Sequence, residues 1–284
     1  GGSGGASVPT SSDDVFFDSA SGSVTVNTGG SAVSVANNIN FTGFTGTMAI
    51  DSTETLDVYG NVTLASGMTL SHSGYLRFFC SGTCNLITAG KTLGDMHHYG
   101  TGTIVQQDDL TFGSGTSLIY YVAGAKWDTN WFDVTGGVWA QASNGPITYL
   151  RGSTVNLSGS GSCLELGDGL QEGTSTINIS VSCSQITNND YYDVNITSTG
   201  SSFAFANATS STYNNLTIAP ASLSNFAEYT LAGNVSVSGT FTLTGISTSS
   251  RIWLRSSTQG ATRNFSAGTT ALTHADFSDI NASG

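Results

Sequence analysis

The sequence predicts an all-β fold, a single parallel β-solenoid (β-helix) of about 11 rungs of roughly 17–24 residues each. Three observations carry this: composition, a repeated strand–turn–strand unit and a recurring corner residue. Only 9% of the 284 residues are charged, while 36 are Gly and 3 are Pro. Ser and Thr are more abundant still, a profile that suits strands and tight turns and excludes coiled coils, helical bundles and charged disordered tails. No stretch of a dozen residues carries a 3.6-residue apolar period.

The repeated unit is visible in Asn61–Leu70 (NVTLASGMTL), Asp109–Leu118 (DLTFGSGTSL) and Asn234–Leu243 (NVSVSGTFTL). Each is a polar residue, an alternating strand, a small-residue turn and the start of a second strand. Its shortest form, Asn or Asp followed by an apolar residue, stands at Asn40, Asn61, Asn85, Asp109, Asp133, Asn156, Asn178, Asn195, Asn215, Asn234 and Asn264. The spacings run from 17 to 24 residues, with a last one of 30. These positions are expected to share one corner column. Alternation sends Val62 and Leu64 inward and Thr63 outward. A coil this small cannot bury its own apolar face, so it must stack on the next. Antiparallel sandwiches are the rival all-β fold, but they call for Asn-Gly or Asp-Gly hairpins. The chain has such dipeptides only at Asn144 and Asp168. Residues 1–12, rich in Gly and Ser, read as a linker, and 13–284 as the solenoid, with an aromatic-rich rung at about 119–140.

The stretches 13–18 (DDVFFD), 60–67 (GNVTLASG), 212–218 (TYNNLTI), 251–257 (RIWLRSS) and 275–281 (ADFSDIN) resemble the Ser/Thr/Gly-rich β-helix repeats of bacteriophage virion and tail-fibre proteins. They are similar also to repeats of bacterial surface adhesins with autotransporter-like passengers. The resemblance implies a structural or receptor-facing role at a virion surface or outside the cell. It supplies no catalytic motif.

A net charge of −12, with five Arg and only Lys91 and Lys126, excludes a basic footprint for nucleic acid or an anionic membrane. No apolar run reaches the roughly 18 residues of a membrane helix. The chain is therefore expected to be non-enzymatic, a scaffold that self-associates or joins other virion or fibre subunits. Two alternatives are a surface adhesin binding cell-surface glycans or a receptor, and a carbohydrate-active enzyme. The last needs converging carboxylates, for which Asp13–Asp14, Asp108–Asp109 and the looser Asp190 with Asp193 are the candidates.

No cofactor is expected. Calcium at a carboxylate-lined turn is conceivable, but no D-x-D-x-D-G loop is present. His97 and His98 are adjacent on a strand and point to opposite faces, so they do not share a metal. Four cysteines without a CxxC read as two disulfides, Cys80 with Cys84 across a small corner and Cys163 with Cys183 on neighbouring rungs. Ten Asn-x-Ser/Thr triplets occur, and most begin a strand after a corner, which makes them a product of the repeat. Tyr120, Tyr121, Trp127, Asp128, Trp131, Asp133 and Trp139 form the candidate binding cluster. Three readings apply to them: packing in a widened coil, a subunit interface, or indoles stacking on a sugar beside amides and carboxylates. Lys126 is expected in an open loop of the same rung.

Overall fold

The computed structural model describes residues 8–26, 33–141, 145–166, 169–180, 183–186, 190–199, 202–205, 210–223 and 226–283; the side chains of 26, 141, 162 and 183–186 are outside the description. Among these residues there is no helix, and short parallel strands stack as a β-solenoid of about 11 turns. The chain divides into two compact units, Gly1–Thr135 with Gln141–Tyr149 and Gly136–Ala140 with Leu150–Gly284. Of the expected linker, residues 1–7 lie outside the description; Thr10 donates to the Asp13 carboxylate through its backbone and its hydroxyl, closing a turn before the first strand.

In the first unit each turn places one short strand on each of three faces. One turn is Ile39–Asn40, Thr47–Ile50 and Thr55–Val58; the next is Val62–Thr63, Thr69–His72 and Tyr75–Phe78. Alternation buries every second residue, and Val62 and Leu64 point inward as expected. Register then stacks like upon like: Leu56, Leu76, Met96 and Leu118 form one interior column, and Val58, Phe78, His98 and Tyr120 the next. Rungs about 4.8 Å apart keep such columns in van der Waals contact, which is how a coil without a core of its own acquires one.

The corner residues do not form the single expected column. Asn40 pairs opposite Thr63, and the column that holds Asn61 contains Asp14, Asn38 and Asn85. Asn38 and Asn61 each accept the backbone N–H of the asparagine one turn on, at 2.7 Å. Asp109 does the same for Asp133 on another face, at 2.9 Å. In the second unit the column is taken over by the Asn156, Asn178 and Asn195 amides, and later by Asn234, Asn264 and Asn281. The turn count was legible because every turn needs one self-capping corner. Which of a turn's corners carries the asparagine changes along the chain.

The second unit changes cross-section. After Leu170–Gln171 no described strand occupies its face, and each turn thereafter has two described strands. One of the two lengthens, from Thr176–Ile179 through Asp190–Ile196 and Ser211–Ile218 to Val235–Thr244. Register shifts between Val237 and Thr240 mark a bulge that bends the long strand where a separate corner would have stood. Gly239 sits in it, where an added Cβ would lie 2.6 Å from Asn215 Oδ1 and 2.8 Å from the Asn214 carbonyl, so no side chain fits. The shortest coils follow from the lost face, with Asn178 and Asn195 only 17 residues apart.

Lys126 departs from expectation. It lies in Lys126–Asp128, a strand paired on both sides, with Thr103 and with Ile147, and not in a loop.

Candidate functional site: an outward column of aromatic rings and arginine

Strands Thr55–Val58, Tyr75–Phe78, Asp95–His98 and Ser117–Tyr120 lie one turn apart on one face of the first unit. Their inward residues are the columns above. Outward, Asp57, Arg77 and His97 align, and the residues just past the strand ends, Tyr59, Phe79, Tyr99 and Tyr121, stack as a ladder. Ring centroids are 5.2, 5.4 and 4.6 Å apart along it, with interplanar angles of 17°, 11° and 4°. The rung spacing falls inside the centroid range that aromatic pairs favour, so parallel β-stacking builds the ladder without distortion.

Arg77 clamps the ladder from the side. Its Nε and a terminal nitrogen donate to the two Asp57 carboxylate oxygens at 2.6 and 2.8 Å, and its guanidinium carbon lies 5.5 Å from the Phe79 and Tyr99 ring centres. The Asp57 hydrogen bonds hold Arg77 still more firmly in its charged form. Tyr75 leans on His97 at 4.9 Å, and the His97 imidazole meets Tyr121 edge-on at 4.9 Å. Burial lowers the basicity of His97, with Asp95 opposing and Arg77 reinforcing that shift.

The chemistry of this column is cohesive. Each inner ring has a neighbour over each face, so only ring edges and tyrosine hydroxyls are offered to water. A sugar needs a bare aromatic face. The ladder spends its faces on the turns above and below.

The cluster expected around 119–140 is divided by the structure. Trp127, Trp139 and Tyr120 are fully buried. Trp127 packs edge-on to Phe78 and donates its indole N–H to the buried Gln106 side chain at 2.7 Å; the Tyr120 hydroxyl sits 3.0 Å from Thr148 Oγ1. These three fill the coil and offer no surface to a ligand. Asp128 accepts the Asn130 N–H in a tight turn, and Asp133 belongs to the corner pair with Asp109. Tyr121 ends the ladder. Trp131 alone is widely exposed, at 67%, in a left-handed conformation with φ of 71° after Asn130 at 50°. Trp127 and Trp131 thus lie on opposite sides of the wall and cannot hold one sugar together.

The acidic pairs are spent on neighbouring turns. Asp14 accepts from the side chains of Asn37 and Asn38, which holds it below the usual carboxylate range. Asp108 accepts the Thr88 and Ala89 N–H groups, fixing Ala89 at a φ of 52°. Asp193 accepts both Asn214 and Asn215 amides, and Asp190 accepts the Thr212 hydroxyl. Among the described residues no three His, Cys, Asp or Glu side chains gather as a metal site. His97 and His98 do face opposite ways: His97 joins the outer rings, while His98 is fully buried near Tyr120, with neither ring nitrogen hydrogen-bonded.

Cys80 and Cys84 form the expected disulfide across a four-residue separation. Gly100, one turn on, must remain glycine, because a Cβ there would collide with the Cys80 backbone. Cys163 is also disulfide-bonded; the Cys183 side chain, its expected partner, lies outside the description. The Asn-x-Ser/Thr asparagines serve the fold where they are described. Asn178 and Asn195 each donate an amide to the asparagine one turn back, at 2.8 and 2.9 Å.

Sequence reasoning missed the ladder itself. Its signal was present as four aromatics 20, 20 and 22 residues apart, each following an inward residue. Comparison with protein-family models, curated proteins and solved structures found no match to the chain.

Proposed function

We propose that this chain is a non-enzymatic structural protein, a scaffold subunit of a virion surface or an extracellular appendage, working through association with its own kind or with other subunits. One observation carries the reading. The outward polar and aromatic groups that chemistry would need, the acidic pairs, Arg77 and the ring ladder, are engaged turn to turn. Such groups stiffen a wall instead of meeting a substrate. The low charge and the sequence resemblance to fibre and virion repeats support the same reading.

Negative-stain microscopy of the purified chain at micromolar concentration tests it. Ordered fibres or particles are the expected result. A chain that stays monomeric and turns over a polysaccharide overturns it.

A further inference from the structure

The outer face of the second unit carries a different arrangement. Strand Ile252–Ser256 buries Ile252, Leu254 and Ser256 and turns Trp253 and Arg255 outward. One turn to either side of Trp253 stand Glu228 and Asp276, not rings, so its indole is not drawn into a stacked column. Phe226 is tilted against it at 5.6 Å, and the Arg255 guanidinium lies 5.3 Å from its ring centre. Beside them the chain leaves a cleft of about 410 Å³, lined by Trp253, Arg255, Ser257, Gln259, Ser278 and Asp279. That volume lies within the roughly 300–1,000 Å³ range of small-molecule sites.

The lining is built to stay in place. Arg255 donates one terminal nitrogen to Glu228 at 2.6 Å and the other to the Ser256 carbonyl at 2.7 Å. Its third nitrogen, Nε, is buried and has no hydrogen-bond partner. Asp279 is held at a φ of 53° and accepts the Gly260 N–H through one carboxylate oxygen. Gln259, Ser257 and Ser278 add donors and acceptors at the rim.

The geometry points to a binding site for a neutral glycan, one sugar ring set against the part of the Trp253 indole that Phe226 and Arg255 leave uncovered, with its hydroxyls bridged by Arg255, Gln259 and Asp279. An indole accepts the C–H face of a pyranose, and planar guanidinium, amide and carboxylate groups match vicinal hydroxyls. Charge selects among sugars. Glu228 pairs with Arg255 and Asp276 with Arg251, which leaves Asp279 as the lining's acid outside an ion pair among the described residues. Sialic and uronic acids are repelled there, and neutral hexoses and N-acetylhexosamines are not. The site stands apart from the scaffold reading, since a subunit that never assembles would still display it.

A glycan array of neutral hexose and N-acetylhexosamine oligosaccharides, with sialylated and uronic-acid glycans alongside, tests the site on the whole chain. At least one neutral glycan is expected to bind, with titration calorimetry on that glycan giving the affinity. Trp253→Ala should weaken it at least about tenfold, the loss of one aromatic platform. Gln259→Ala, at an exposed position that does not affect folding, should weaken it several-fold, and Trp131→Ala should leave it unchanged. Binding confined to acidic glycans, binding to none, or binding that survives both Trp253→Ala and Gln259→Ala overturns the site.

Discussion

Tyr99, just past a strand end in the first unit, and Trp253, inside a strand of the second, are both outward aromatics, yet they meet opposite fates. Tyr99 has Phe79 one turn behind and Tyr121 one turn ahead, and both of its faces are covered. Trp253 has Glu228 and Asp276 in those places and borders an open cleft. In a parallel solenoid the neighbour that decides a side chain's role is therefore about twenty residues away in sequence. A like neighbour makes a ring structural. A charged neighbour leaves it out of the stack.

The largest test of the contrast lies just inside the ladder. His98 is buried without a partner, and burial lowers its pKa from 6.5 to about 4. The folded state therefore favours the neutral ring. Its contribution is intact above pH 6.5 and is lost as pH falls towards 4, because the unfolded chain takes up a proton that the folded chain refuses. The loss approaches about 3 kcal/mol, and His72, lowered to about 4 by the same cause, adds a second such group. The acidic groups with lowered values titrate below this window. Urea denaturation at pH 7 and pH 4 should show the drop, and His98→Phe should remove about 3 kcal/mol of it. An unchanged pH dependence in His98→Phe would place the ring in water.

Arg77→Ala comes next, because it leaves the buried Asp57 carboxylate unpaired. We expect a loss of about 2–3 kcal/mol, less than for a fully buried pair since Arg77 keeps contact with water. The exposed pair of Arg251 and Asp276 should matter less, and equal losses from Arg77→Ala and Arg251→Ala would erase the distinction between the two faces. Tyr99→Ala should cost about 1–2 kcal/mol through its two stacks, while Trp253→Ala costs less than about 1 kcal/mol. Comparable melting temperatures for those two variants would break the contrast. The smallest effect is a gain: Trp131→Gly relieves an indole held at a positive φ and should stabilise by roughly 0.5–1 kcal/mol in a thermal melt.

The architecture was legible in the sequence because it depends on local rules. Corner asparagines, alternation as in Val62–Leu64 and the near absence of proline each declare a stacked β-coil. The Cys80–Cys84 bridge was legible for the same reason, being closed within one corner. Roles that depend on register were not. Trp127 and Trp131 are four residues apart and look like one cluster, but a turn between them puts one in the core and one in solvent. Trp253 and Asp279 look unrelated, and a single turn of stacking brings them to one cleft. The transition to two-strand coils was visible only as shortened intervals after Asn178, whose cause needed the lengthened strands to be seen.

The outward rings of the first unit bind neighbouring turns. A double-mutant cycle between Phe79 and Tyr99, each replaced by Ala and read by urea denaturation at pH 7, measures that directly. The ladder predicts a favourable coupling of about 0.5–1.5 kcal/mol between the two rings. Strictly additive losses, with no coupling beyond experimental error, would contradict it.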